Sequence, residues 1–159
     1  MDLSRLNPLP EWDARMFRLE AGEEWKFKES LQVSEELYNK WREIFGLVSA
    51  FAENLREDAG NTPADFRCLI FENAYIIAPK IISASGQALY QVQMENAALI
   101  RFNARQMMDQ MNFAVLIGAA DESYKNVIRD AMEEFKTVFR RWVATFERDD
   151  ISDDWGLFE

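Results

Sequence analysis

The sequence predicts an all-α protein, an antiparallel up-and-down four-helix bundle with an extended N-terminal arm and an acidic C-terminal tail. Three observations predict it. Four stretches carry apolar residues at alternating steps of three and four, which draws a seam along one side of a helix. Residues that start or stop helices bracket these stretches. No segment alternates in the manner of a strand; Trp25-Lys26-Phe27-Lys28 comes nearest and is too short to build on. The 159 residues suit one domain, and 48% hydrophobic with 29% charged residues excludes whole-chain disorder. The spacing divides the chain into an arm over 1–33, a bundle over 34–147 and an acidic aromatic tail over 148–159.

The first helix is expected near 34–57. Its seam is Leu37, Trp41, Ile44, Val48, Phe51 and Leu55, widened by Tyr38 and Phe45. Ser34 followed by Glu35 and Glu36 suits an N-cap with acids in the first turn, and Gly60-Asn61 marks the exit. The second helix opens on Thr62-Pro63-Ala64-Asp65, a capping hydroxyl, a proline where no amide donor is needed and an early acid. It carries Phe66, Leu69, Ile70, Ile77, Ile81 and Ile82. Pro79 lies inside that pattern, and because the spacing resumes beyond it a kink is expected rather than an end. Ser83-Ala84-Ser85-Gly86 closes the segment.

The third helix is expected from about Ala88 to Ile117, with a seam of Ala97, Ile100, Ala104, Met107, Met111 and Ala114 broadened by Met94, Met108 and Val115. Gly118 fits a left-handed stop, and Asp121 is placed to cap the fourth helix. So short a connection sets the two helices antiparallel. The fourth carries Tyr124, Ile128, Ala131, Phe135, Val138 and Trp142 and ends near Phe146.

The ends read differently. Pro8, Pro10, Gly22 and scattered aromatics suggest an arm lying on the bundle or on a neighbour. Five tryptophans and twelve phenylalanines exceed what one slim bundle hides. Trp12, Trp25 and Trp155 lie outside the seams, and with Leu157 and Phe158 they form the expected oligomer or partner interface. The tail either tucks onto its own bundle or docks on another subunit.

The chain has no histidine and one cysteine, Cys68, which removes the commonest general base, the commonest metal ligand and any Cys/His pair. A carboxylate-bridged metal centre needs inward acids from all four helices, and the seams of the first and fourth have none. Glu72 and Glu95 come nearest and read as hydrogen-bonding groups at the edge of the core. Cys68, beside Phe66, Leu69 and Ile70, reads as an inert core thiol. The dispersed glycines form no phosphate-binding loop. No catalytic residue, metal ligand or cofactor is therefore expected, and the protein is read as a non-enzyme.

The formal charge is −10, and residues 147–159 hold six acids and one base. An acidic chain repels phosphate backbones at long range, which disfavours nucleic acid. A basic strip on the body escapes that argument: Arg101 and Arg105 on the third helix, with Lys136, Arg140 and Arg141 on the fourth, could meet RNA or a partner's acids. The plainer alternative is local pairing, Arg105 with Asp109 and Arg129 with Glu133. No apolar run approaches the ~20 residues that span a bilayer. The first residues lack a secretory pattern and one cysteine forms no internal disulfide, so a cytoplasmic protein without a membrane partner is expected.

Three stretches carry a family resemblance. They are Asn73-Ala74-Tyr75-Ile76-Ile77-Ala78-Pro79-Lys80-Ile81-Ile82 with Gly86 shortly after, the long helix around Ala97-Ala98-Leu99-Ile100-Arg101, and the turn Ile117-Gly118-Ala119-Ala120-Asp121-Glu122-Ser123-Tyr124. Over roughly residues 37–146 the chain resembles the small four-helix-bundle proteins encoded in intervening sequences of large-subunit ribosomal RNA genes. The accessory protein of diversity-generating retroelements belongs to the same group. The resemblance implies an up-and-down bundle, a ring of five subunits in several members, and no enzyme activity. Members that bind nucleic acid are strongly basic, whereas this chain is at −10. The expected function is thus a homo-oligomeric interaction or scaffold protein; the alternative is a nucleic-acid accessory protein using the basic strip.

Overall fold

The computed structural model describes residues 7–17, 22, 24–56, 63–87 and 89–157. They form a short 3-10 turn at Ala14–Met16 and four α-helices: α1 (Glu24–Glu53), α2 (Pro63–Ala84), α3 (Tyr90–Leu116) and α4 (Glu122–Val143). Among the described residues there is no strand. The protein is an all-α, four-helix fold.

The seams face one core. Leu37, Trp41, Ile44, Val48, Phe51 and Leu55 of α1 are buried, as are Ile70, Ile77 and Ile81 of α2. The six predicted seam positions of α3 and Ile128, Ala131, Phe135, Val138 and Trp142 of α4 join the same cluster. Leu69 and Tyr124 depart from expectation and are exposed.

The start of α1 differs from its prediction. The helix begins at Glu24, not at Ser34, and takes in a third of the expected arm. Nothing between 24 and 33 breaks a helix, and Phe27, Leu31 and Val33 extend the inward face. Ser34 therefore sits in the helix interior, fully buried, with its Oγ donating to the Ser30 carbonyl at 2.8 Å. At the other end the helix stops at Glu53, short of the expected 57; Gly60-Asn61 and the Thr62 cap lie outside the described residues.

α2 runs through Pro79 to Ala84 without ending. Both Pro79 and Tyr75, whose carbonyl loses its helical donor, are exposed, so water can satisfy that carbonyl. At Gly86 (φ +73°) an added Cβ would lie 3.2 Å from a Phe17 ring carbon, so the arm and the end of α2 meet where only glycine fits.

α3 ends as predicted. Gly118 has φ +79°; its N–H donates to Val115 O at 3.0 Å, and Ala119 N–H donates to Ala114 O at 2.8 Å. Asp121 occupies the N-cap of α4 but makes no side-chain cap bond. Its carboxylate instead pairs with Arg56, whose Nη1 also donates to Gly118 O at 3.3 Å and whose N–H donates to Ala119 O at 2.9 Å. The stub after α1 thus clamps the α3–α4 turn.

Cross-helix partners fix the register. Along α1 and α4 the pairs are Ser34–Trp142 (3.0 Å), Glu36–Arg141 (2.8 Å), Trp41–Phe135 (ring centroids 5.6 Å) and Phe51–Tyr124 (6.2 Å). Phe45–Tyr75 (5.0 Å) and Ala52–Arg67 (3.2 Å) join α1 to α2; Phe66–Phe113 (5.6 Å) and Asn73–Gln110 (3.1 Å) join α2 to α3. In each pair numbers fall on one helix as they rise on the other. α2 and α3 pack most closely, while α3 and α4 meet far more sparsely than α1 does with α2 or α4.

Candidate interaction groove

The sparse α3–α4 contact leaves a groove of about 1030 Å³ along the side of the fold. Its floor is apolar. Ile100 and Ala104 of α3 and Met132 and Phe135 of α4 line it while buried in the common core, with Met108 and Phe139 half-buried at the edges.

The rim is cationic. Arg101 and Arg105 come from α3, and Lys125, Arg129, Lys136 and Arg140 from α4; the lining acids are Asp109 and Glu133. Lys136 Nζ lies 2.6 Å from Glu133 Oε1, and that hydrogen bond, helped by the charges of Arg140 and Arg129, holds the Glu133 carboxyl below its ordinary pKa. Arg129 pairs with Asp130 at 3.0 Å, not with Glu133 as expected, and among the described residues no ion pair joins Arg105 to Asp109. Arg101, Arg105 and Arg140 make no ion pair among the described residues. A surplus of cations over an apolar floor inverts, locally, the sign of a chain at −10.

Four of the five predicted basic residues, Arg101, Arg105, Lys136 and Arg140, are thus brought together. Arg141 is not. Consecutive helical residues point ~100° apart, so Arg141 faces α1 and bonds Glu36 at 2.8 Å, which raises its pKa. Lys125 and Arg129 were not foreseen. Their signal was the helical stepping of 125, 129, 136 and 140, which continues the same face of α4.

The aromatic candidates sit at one end of the fold. Ser30 of α1 meets Thr145 just past α4 there, and Phe17 lies against Gly86. Trp12 is half-buried in its own chain, 5.0 Å from Phe17 and 5.5 Å from Tyr38 between ring centroids. The arm around it is pinned: Tyr38 Oη donates to Pro10 O at 2.7 Å, Arg42 Nε to Leu9 O at 3.3 Å, and Asn7 Nδ2 to Arg42 O at 2.7 Å. Burial raises the Tyr38 pKa, against the lowering charge of Arg42. Trp25 is exposed beside a shallow hollow of about 470 Å³ lined by Trp12 and Leu31.

The root of the tail also docks on its own chain. Asp149 Oδ2 accepts from Tyr90 N–H at 2.9 Å, supplying the cap that α3 lacks at Leu89. Gln91 Nε2 donates to Ile151 O at 2.9 Å, and the Arg148 guanidinium lies 5.7 Å from the Tyr90 ring centroid. Beyond this the chain turns outward. Trp155 is 91% exposed and Leu157 72%; Phe158 lies outside the described residues.

Cys68 is exposed, which corrects the core assignment. It shares the outward face of α2 with Leu69, Glu72, Tyr75 and Ile76, and its Sγ donates to Glu72 Oε1 at 3.5 Å. Position 68 lies ~160° around the helix from the buried Ile70. Glu72 and Glu95 are likewise exposed, and among the described residues no three His, Cys, Asp or Glu side chains gather as metal ligands. No helix among the described residues is long and apolar enough to cross a membrane. No protein-family model, curated protein or solved structure matches the chain.

Proposed function

We propose that this is a non-enzymatic, homo-oligomeric interaction or scaffold protein built on an antiparallel up-and-down four-helix bundle, acting in the cytoplasm. The opposed numbering of every cross-helix pair supports the antiparallel course. The observation that carries self-association is the outer side of α2 and α3. Leu69, Tyr75 and Ile76 of α2 and Leu99, Phe102, Phe113 and Leu116 of α3 are large, apolar and exposed; beside them, among the described side chains of α2, the charged residues are Glu72, the half-buried Lys80 and Arg67, which turns toward Ala52 O of α1. A helix apolar on both faces belongs in an interior, and here that interior is a subunit boundary. Light scattering on the purified chain tests this: a mass well above 18.6 kDa supports it, and a strict monomer at micromolar concentration removes it. A mass about five times 18.6 kDa also favours kinship with the ribosomal intervening-sequence proteins.

One observation favours a second reading. The convergence of Arg101, Arg105, Lys136 and Arg140 suits a nucleic-acid accessory protein. It predicts salt-sensitive RNA or DNA binding that weakens when Arg101 and Arg105 become alanine. No binding at low salt eliminates it.

A further inference from the structure

We infer that the C-terminal turn Trp155-Gly156-Leu157 of one copy docks into the α3–α4 groove of a second copy. The inference rests on the homo-oligomeric reading and adds a second contact between copies beside the outer α2–α3 face.

The turn is preformed. Asp153 Oδ1 accepts from Trp155 N–H at 3.1 Å, its Oδ2 accepts from Leu157 N–H at 2.6 Å, and Gly156 N–H closes back onto Asp153 O at 2.9 Å with φ +69°. The backbone that carries an indole and an isobutyl group out into water is thereby fixed, which leaves only their side-chain rotamers to order on binding. Aromatic anchors presented this way dominate interface energetics where a matching pocket exists.

The groove supplies that match. Its floor is apolar, and its volume of about 1030 Å³ lies at the upper end of ligand pockets, which run to ~1,000 Å³, so it has room for a peptide turn. Its rim of Arg101, Arg105 and Arg140 faces whatever enters with positive charge, while the turn carries the exposed carboxylate of Asp154 beside its anchors. Opposite charge around a shared apolar centre is the arrangement that steers and selects a partner. A nucleic acid would use the rim but leave the tail's two exposed anchors unexplained.

Docking between copies follows from the tail's root. Asp149 and Ile151 are fastened to the start of α3, and with Trp155 91% exposed the turn stands clear of its own groove. Plug and socket are different patches of one chain, so the contact is head-to-tail and propagates into a ring or an open array.

The test uses two full-length variants. Trp155→Ala/Leu157→Ala removes the plug and keeps the socket; Arg101→Glu/Arg105→Glu reverses the socket and keeps the plug. All four positions are exposed, and circular dichroism checks that both variants fold. By light scattering each variant alone is expected at a lower mass than the wild type, and their equimolar mixture above either variant alone, because one intact plug meets one intact socket. A plug variant that keeps the wild-type mass overturns the docking while leaving self-association standing. A monomeric wild type overturns both. Variants that keep their mass while the socket variant loses binding to a fluorescent single-stranded RNA overturn the docking in favour of nucleic acid.

Discussion

Ser34 offers the sharpest test of the core. Its Oγ, fully buried, donates to Ser30 O at 2.8 Å and accepts from the equally buried Trp142 Nε1 at 3.0 Å. Ser34→Ala removes both bonds and leaves an indole N–H in the core with no acceptor, a loss of ~1–3 kcal/mol. Alanine's better helix propensity returns a few tenths of a kcal/mol, so the expected destabilisation is ~2 kcal/mol. Ser34→Gly suffers the same loss plus ~1 kcal/mol for glycine inside a helix, and should be the less stable of the two. A helix that began at Ser34 would invert that order, because glycine serves as an N-cap nearly as well as serine while alanine does not. Urea denaturation followed at the helical dichroism band gives the ranking. Trp142→Phe supplies the control: in its background Ser34→Ala should cost little, for a coupling of ~1–2 kcal/mol. A Gly variant more stable than Ala, or a coupling indistinguishable from zero, refutes the buried hydrogen bond.

Other outcomes follow from the same geometry. Gly118→Ala, forced to φ +79°, should destabilise the fold by ~1–2 kcal/mol, whereas Gly46→Ala, where an added Cβ meets nothing within 4 Å inside α1, should stabilise it by up to ~1 kcal/mol; thermal melts read both. The Tyr38 pKa is raised in the folded state, so its hydroxyl supports the fold fully below the unfolded value and that support is lost as pH climbs through the folded one. An ultraviolet titration should show a late-ionising tyrosine that is missing from Tyr38→Phe. Cys68, exposed on α2 of the single chain, should react with a thiol reagent at one equivalent per chain in buffer dilute enough to separate the copies, and a thiol titrating only in denaturant under that condition would contradict its placement.

The four seams were legible because spacing alone decides which face of a helix turns inward, and the buried positions of α1, α3 and α4 follow it closely. The start of α1 was not. Ser34-Glu35-Glu36 has the letters of a cap, and the cue that overrules it, a partner indole at position 142, lies over a hundred residues away. Asp121 and Asp149 make the same point from opposite sides. The first holds the capping position yet is taken by Arg56, and the second caps α3 from beyond α4. Cys68 was misplaced by reading neighbours in sequence as neighbours in space. The polar letters Asn73, Asn96 and Asn103 gave no hint of burial; each donates to the carbonyl four residues before it, which lets an amide sit among apolar side chains. The basic groove was half legible. Helical stepping gathered four cations, but only the weak α3–α4 contact made them the rim of a cavity.

The bond from Asp149 to Tyr90 has a practical corollary for anyone shortening this chain. A cut after Phe146 looks safe, since among the described residues that is the last one packed against the core, yet it strips the negative end from the first turn of α3 and the strap that Gln91 grips. A cut after Ser152 spares both. The working edge of the folded unit therefore lies several residues downstream of its last helix, and pieces designed without that margin should fray at the beginning of α3 before they loosen anywhere near the cut itself.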